Sequence, residues 1–258
     1  MIEIKEAFKK DGKAFVTFLT AGDPTLQDTA RYLQVLQDNG ADLIEIGIPF
    51  SDPVAEGPVI QAADIRALKN NVCIDDIFEM LQGVERKVPF LFMTYANPVF
   101  FYGYEKFFSR CRETGIAGII LPDIPYEESE EVKSVARKYG VVVIDMVAPT
   151  SKERIQTVCK DAQGFIYLVS SLGVTGVRKE ITTDIGAIAR DVKAVTSTPV
   201  CVGFGISTPE QAGKTAAESD GAIVGSAIVR IIAEHGSNAD EALAKYISDM
   251  SKAVHSAR

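Results

Sequence analysis

Apolar positions along the chain change period repeatedly: short runs rich in β-branched and aromatic residues alternate with longer stretches whose apolar side chains recur every three to four positions. The first kind reads as buried parallel strands and the second as amphipathic helices packed over them. Strands are expected at 15–19, 43–47, 90–95, 118–121, 141–147, 165–169, 199–203 and 222–224. Helices are expected between and after them at 25–38, 59–70, 104–113, 127–139, 152–161, 184–194, 209–218 and 227–234. The punctuation agrees with this order. Gly40, Gly115 and Gly140 each follow a helical stretch and precede a strand, where glycine tolerates the left-handed conformation that stops a helix. Asp23-Pro24-Thr25, Thr150-Ser151-Lys152-Glu153 and Ser207-Thr208-Pro209-Glu210 offer N-cap oxygens and N1 prolines at helix starts. Eight such βα units, with no Pro/Ser-rich linker between them, favour an α/β fold: a single (β/α)8 TIM barrel over 1–258 rather than a doubly wound sheet, which normally needs fewer strands. Three further helices are expected as added packing. One at 2–10 closes the bottom of the barrel, one at 74–84 follows the second strand, and a last one at 238–253 is capped at Ser237 or Asn238.

Composition narrows the function classes. The net charge of -8 comes without a dense Lys/Arg stripe, so neither nucleic acid nor an acidic membrane surface is an expected partner. Apolar runs are too short to span a membrane and the first residues lack a signal-peptide pattern, so the chain reads as cytoplasmic. Cys73, Cys111, Cys159 and Cys201 are scattered, without Cys-x-x-Cys spacing, and read as reduced, mostly buried thiols. The two histidines, His235 and His255, both lie in the helical C-terminal region, which argues against a catalytic histidine or a histidine-rich metal site.

Candidate chemistry collects at the C-terminal ends of the strands, where a barrel of this kind keeps its active site. Glu45 lies in the apolar run 43–48, where an ionised carboxylate is costly unless paired or used, and Glu56 follows in a loop stiffened by Pro49, Pro53 and Pro58. Each also has a structural explanation, Glu45 as a satisfied core acid and Glu56 as a solvated loop charge. Gly203-Phe204-Gly205 and Val224-Gly225-Ser226 follow adjacent strands and allow backbone N–H groups to approach an anion, with a helix starting at Ser226 to add its dipole. Phosphate is therefore expected there, and Gly173-Val174-Thr175-Gly176 could wrap it from the other side. A Schiff-base aldolase needs a lysine at a strand end, and none is present; Lys179 belongs to a loop and Lys214 to a helix. Carboxylate acid/base catalysis on a phosphorylated substrate remains. Phe18, Met93, Tyr95, Tyr167 and Phe204 would give that substrate an apolar, aromatic pocket, or serve as barrel core.

Along essentially its whole length the chain resembles the alpha subunit of tryptophan synthase. The resemblance rests on residues 15–24 (FVTFLTAGDP), 44–53 (IEIGIPFSDP), 167–176 (YLVSSLGVTG) and 203–207 (GFGIS). It implies a retro-aldol cleavage of indole-3-glycerol phosphate to indole and glyceraldehyde 3-phosphate, with no cofactor in this chain. It assigns Glu45 as the acid/base and Glu56 as the acceptor for the indole N–H. Tyr167, Phe18, Met93, Thr175 and Phe204 would position the substrate, while Gly176, Gly205, Gly225 and Ser226 would hold its phosphate. It also implies a pyridoxal-phosphate-dependent beta subunit that receives indole, an alpha2beta2 heterotetramer, and loops around 51–53 and 173–179 that order on that partner. Two departures stand out: Glu56 occupies a position where the family pattern has aspartate, and Ser171-Leu172 lacks the charged residue expected nearby. Two alternatives stay open, another phosphate-binding barrel enzyme acting on sugar phosphates and a weakly catalytic subunit that mainly activates its partner.

Overall fold

The computed structural model describes residues 1–8, 12–149, 152–169, 185–203 and 205–257. Its first βα units are β1 (Ala14–Thr20), α1 (Leu26–Asp38), β2 (Leu43–Gly47), α2 (Pro58–Lys69), the added α3 (Ile74–Gln82) and β3 (Phe90–Met93). Then come α4 (Ala96–Tyr102), α5 (Tyr104–Glu113), β4 (Ile116–Ile120), α6 (Ser129–Lys138), β5 (Val142–Val143) and β6 (Asp145–Val147). The remainder is α7 (Lys152–Cys159), β7 (Ile166–Val169), α8 (Ile185–Lys193), β8 (Val200–Gly203), α9 (Pro209–Glu218), β9 (Gly221–Val224), α10 (Ser226–His235) and α11 (Asp240–His255).

All strand pairs are parallel, in the order β5-β4-β3-β2-β1-β9-β8-β7-β6, which wraps the sheet into a barrel. The expected strand 141–147 is divided at Ile144. Its first half pairs with β4 and its second with β7, while the Ile144 N–H still donates to Ile119 O at 2.9 Å. The eightfold barrel is therefore present, with its fifth strand read as two segments.

Period-two alternation decides which side chains fill the barrel. Val16, Phe18, Leu43, Leu91, Met93, Phe165, Tyr167, Cys201 and Ile223 belong to the inner cluster, whereas Phe15, Ile44, Ile46, Phe90 and Phe92 pack outward under the helices. Each large apolar side chain shut away this way contributes about 1.5–3 kcal/mol.

The expected caps form at Thr25, which accepts from the Asp28 amide, and at Thr208, which shares a capping box with Gln211. Gly40, Gly115 and Gly140 all take positive φ. Three expectations change. The described part of the N-terminal segment holds a 3-10 stretch, Ile4–Phe8, rather than an α-helix, residues 9–11 lying outside it, although Ile4 does plug the barrel bottom against Gly118 and Gly164. The last helix starts after Ala239 without a side-chain cap, because Ser237 instead donates to Asp28 and its carbonyl accepts from Arg31. Finally, the segment expected to continue β3 to residue 95 turns at Tyr95 into the unanticipated helix α4.

At the bottom, α11 is clamped to the barrel. His255 Nε2 lies 2.6 Å from Asp42 Oδ2, which also accepts the Phe15 N–H, and Ser251 donates to Gly40 O at 3.0 Å. A Cβ on Gly40 would fall 2.3 Å from the Ser251 oxygen, so glycine is required there for contact as well as for its φ of +104. This places His255 in a structural hydrogen bond with Asp42 at the end opposite the chemistry.

Candidate active site

Glu45 points into the barrel because its neighbours on β2 leave it no choice: Ile44 and Ile46 pack outward, so Leu43, Glu45 and Gly47 face in. It is 1% exposed, in register with Phe18 on β1 and Leu91 on β3. Among the described residues neither carboxyl oxygen has a hydrogen-bond partner. Burial without a counter-charge penalises the ionised form and pushes the group up to about 8. Of the two explanations open to it, the satisfied core acid lacks its donors among the described residues.

Glu56 is held by a different device. The Tyr95 hydroxyl accepts the N–H groups of Val54 and Ala55 at 3.1 and 2.9 Å, Gln61 Nε2 donates to Glu56 O at 2.8 Å, and Gly57-Pro58 start α2 immediately afterwards. The loop is thus pinned to the end of β3 on one side and to α2 on the other. Glu56 is 5% exposed, so it is no solvated loop charge, and its Oε2 lacks a partner among the described residues. Burial lifts it to about 7; the amides of Glu56 and Ala55 pull the other way and the Asp123 charge adds to the rise.

Tyr167, inward on β7, lies between these acids electrostatically: burial first, then the charges of Glu45, Cys201 and Glu56, hold its phenol well above the usual range. Its ring occupies the space a side chain at 203 would need, since a Cβ on Gly203 would sit 2.5 Å from the Tyr167 oxygen. Phe18 and Met93 line the same apolar interior. Gly205 follows β8, and Gly225 and Ser226 follow its neighbour β9, with Gly225 as N-cap and Ser226 as first residue of α10. The first N–H groups of α10 have no intrahelical acceptor and suit an anion. Thr175, Gly176 and Phe204, with the 173–179 loop and Ser171-Leu172, lie outside the described residues.

Sequence reasoning missed three features. Asp64, on the inner face of α2, is 6% exposed and lifted by burial, then by the charges of Glu56 and Asp23, to about 8. A signal existed, because residue 64 shares a helical stripe with Ile60 and Ala67. The role of the Tyr95 hydroxyl is the second. The third is α4, which leaves Phe100 and Phe101 65% and 92% exposed. No group of three residues able to hold a metal occurs among the described residues.

The family model for the tryptophan synthase alpha chain matches residues 4–257. The chain belongs to that family. A tryptophan synthase alpha chain from Lacticaseibacillus casei is 43% identical over 256 residues, covering 98% of this chain and 96% of that one. Among solved structures, Mycobacterium tuberculosis tryptophan synthase superposes with a TM-score of 0.88 at 30% identity, over 98% of this chain and 96% of the other. A structure from the Pyrococcus furiosus tryptophan synthase a2b2 complex gives 0.86 at 36% identity, over 93% and 98%. As a member of the family the chain is a carbon–carbon lyase of tryptophan biosynthesis that needs no cofactor of its own.

Proposed function

We propose that the barrel mouth cleaves indole-3-glycerol phosphate to indole and glyceraldehyde 3-phosphate, with Glu45 as acid/base and Glu56 as acceptor for the indole N–H. The observation that carries this reading is the Glu45 carboxyl, sealed in the barrel with no partner for either oxygen among the described residues. Burial keeps it protonated at neutral pH, the form that can protonate indole C3. The protonated ring is an electron sink. The bond from C3 to the glycerol chain breaks, its electron pair returns to the ring, and the proton of the adjacent hydroxyl passes to Glu45 as the aldehyde forms. Glu45 ends in the state in which it began, so neither metal nor lysine is needed. Glu56, poised near neutrality, places negative charge where the indole nitrogen turns positive.

In this reading Tyr167, Phe18, Met93, Thr175 and Phe204 position the substrate, and Gly176, Gly205, Gly225 and Ser226 bind its phosphate. The adjacent ends of β8 and β9 and the start of α10 support the phosphate assignment. The partner is a pyridoxal-phosphate-dependent beta subunit in an alpha2beta2 assembly, supported by the likeness to the Pyrococcus furiosus complex. Phe100 and Phe101, exposed side by side on α4, offer an apolar patch suited to that contact. A single barrel domain over 1–258 belongs to the same proposal and is supported by the span of the family match, and the cytoplasm is proposed as its compartment.

The test is indole release by the purified chain from indole-3-glycerol phosphate, with and without a beta subunit. Turnover by the chain alone, accelerated by the partner, is expected. Release only of products from a sugar phosphate, or none without the partner, contradicts the assignment.

A further inference from the structure

The start of α4 leaves backbone donors that its own N-cap does not satisfy. Tyr95 stands at that cap with an extended backbone, φ -108 and ψ 162, and makes no side-chain capping bond. Its hydroxyl points instead to the neighbouring loop, where it accepts the Val54 and Ala55 N–H groups at 3.1 and 2.9 Å, directly before Glu56. The first N–H groups of a helix have no intrahelical acceptor. Pro98 brings none to the third position, so the Ala96 N–H is the one that fixes where α4 begins. The Asp123 carboxylate receives it, at 3.0 Å to Oδ1 and 3.1 Å to Oδ2. An acid there also suits the positive end of the helix. Asp123 is within reach because the strand ends are joined just below: the Thr94 N–H donates to Ile120 O at 3.2 Å. An unbroken series of bonds thus runs from Asp123 through Ala96 and Tyr95 to the residue before Glu56.

We infer that Asp123 is a positioning residue for Glu56: by holding the Ala96 N–H it sets the turn at Tyr95, and the Tyr95 hydroxyl then keeps the Glu56 loop folded over the barrel mouth. The inference rests on the reading of Glu56 as the N–H acceptor. Tyr95 can transmit the constraint because it is fixed on both sides. It is 3% exposed and its ring lies 5.3 Å from that of Phe50, at the other end of the same loop. A shift in where α4 starts therefore moves the hydroxyl relative to two loop amides at once, and with them the carboxyl that follows. Asp123 itself is exposed and lies on another loop, so its contribution runs through these bonds and not through packing.

The test compares Asp123→Ala, Asp123→Asn, Tyr95→Phe, Glu56→Ala and the double variant Tyr95→Phe/Asp123→Ala in full-length protein, by steady-state indole release and amide hydrogen exchange. Asp123→Ala is expected to lower kcat by about tenfold with KM changed by no more than about twofold, the pattern of a displaced acid rather than of lost substrate binding. Asp123→Asn keeps an oxygen for the Ala96 N–H and recovers most of that loss. In the Tyr95→Phe background Asp123→Ala costs little further, since its effect runs through that hydroxyl. Exchange at the Val54 and Ala55 amides should quicken by about tenfold in Asp123→Ala and stay near the wild-type rate in Asp123→Asn, a readout that does not depend on turnover. Additive losses, an Asn variant as slow as the Ala variant, or unchanged exchange at 54 and 55 overturns the proposal. Near-normal turnover by Glu56→Ala instead removes the reading of Glu56 on which it rests.

Discussion

Glu45 and Glu56 reach similar electrostatic states by different routes. Strand alternation aims Glu45 into the barrel, whereas Glu56 is buried only because Tyr95, Gln61 and Pro58 fold its loop inward. The loop acid should therefore tolerate a change in length better than a loss of charge. Glu56→Asp is expected to keep activity within about tenfold and Glu56→Ala to lose on the order of a hundredfold, the usual worth of a positioned acid or base. Steady-state indole release checks this, and equal rates for Ala and wild type would make Glu56 a bystander. Glu45 was readable from sequence since an acid inside an apolar strand has no inexpensive explanation. Asp64 was harder to read: its place in the stripe of Ile60 and Ala67 points inward, but an acid on a helix ordinarily belongs to the solvated face, and the packing of α2 on β1 decides that this one is inside.

At the scale of elements, the link between β3, α4 and the Glu56 loop runs through one hydroxyl. Tyr95 is the N-cap residue of α4, its ring lies 5.3 Å from that of Phe50, and its oxygen accepts two loop amides. Tyr95→Phe keeps the ring contact and removes only the acceptor. Val54 is exposed, so water can replace its lost bond and stability should change by less than about 1 kcal/mol. The rate should fall by about tenfold as the loop loses its anchor. Unchanged turnover with an unchanged melting temperature would remove Tyr95 from the account. The strand and helix order was legible throughout because eight units repeat one period and one set of caps. Helix α4 escaped notice for local reasons: seven residues give barely two turns of amphipathic pattern, and Pro98 falls where a proline is tolerated only because it is in the first turn. Likewise Ile144 interrupts a strand whose sequence gives no sign of it.

The whole molecule separates stability from chemistry along the barrel axis. The bottom is closed by Ile4 and the Asp42–His255 clamp, while the top gathers buried carboxyls whose proton affinity burial raises. Glu45, Glu56 and Asp64 all bind protons more tightly folded than unfolded, so between about pH 5 and pH 8 the folded chain carries more protons and stability falls as pH rises. Each group costs up to about 1.4 kcal/mol per pH unit. Urea unfolding should show lower stability at pH 8 than at pH 6, with a shallower slope in Glu45→Gln; a flat or rising profile would contradict buried acids of raised proton affinity. The central claim, that Glu45 moves the protons, is tested most directly by single-turnover indole release in Glu45→Gln, alongside binding of glyceraldehyde 3-phosphate. The rate should fall by about 10²–10⁴-fold while that binding is retained. Turnover near that of the wild type would contradict it.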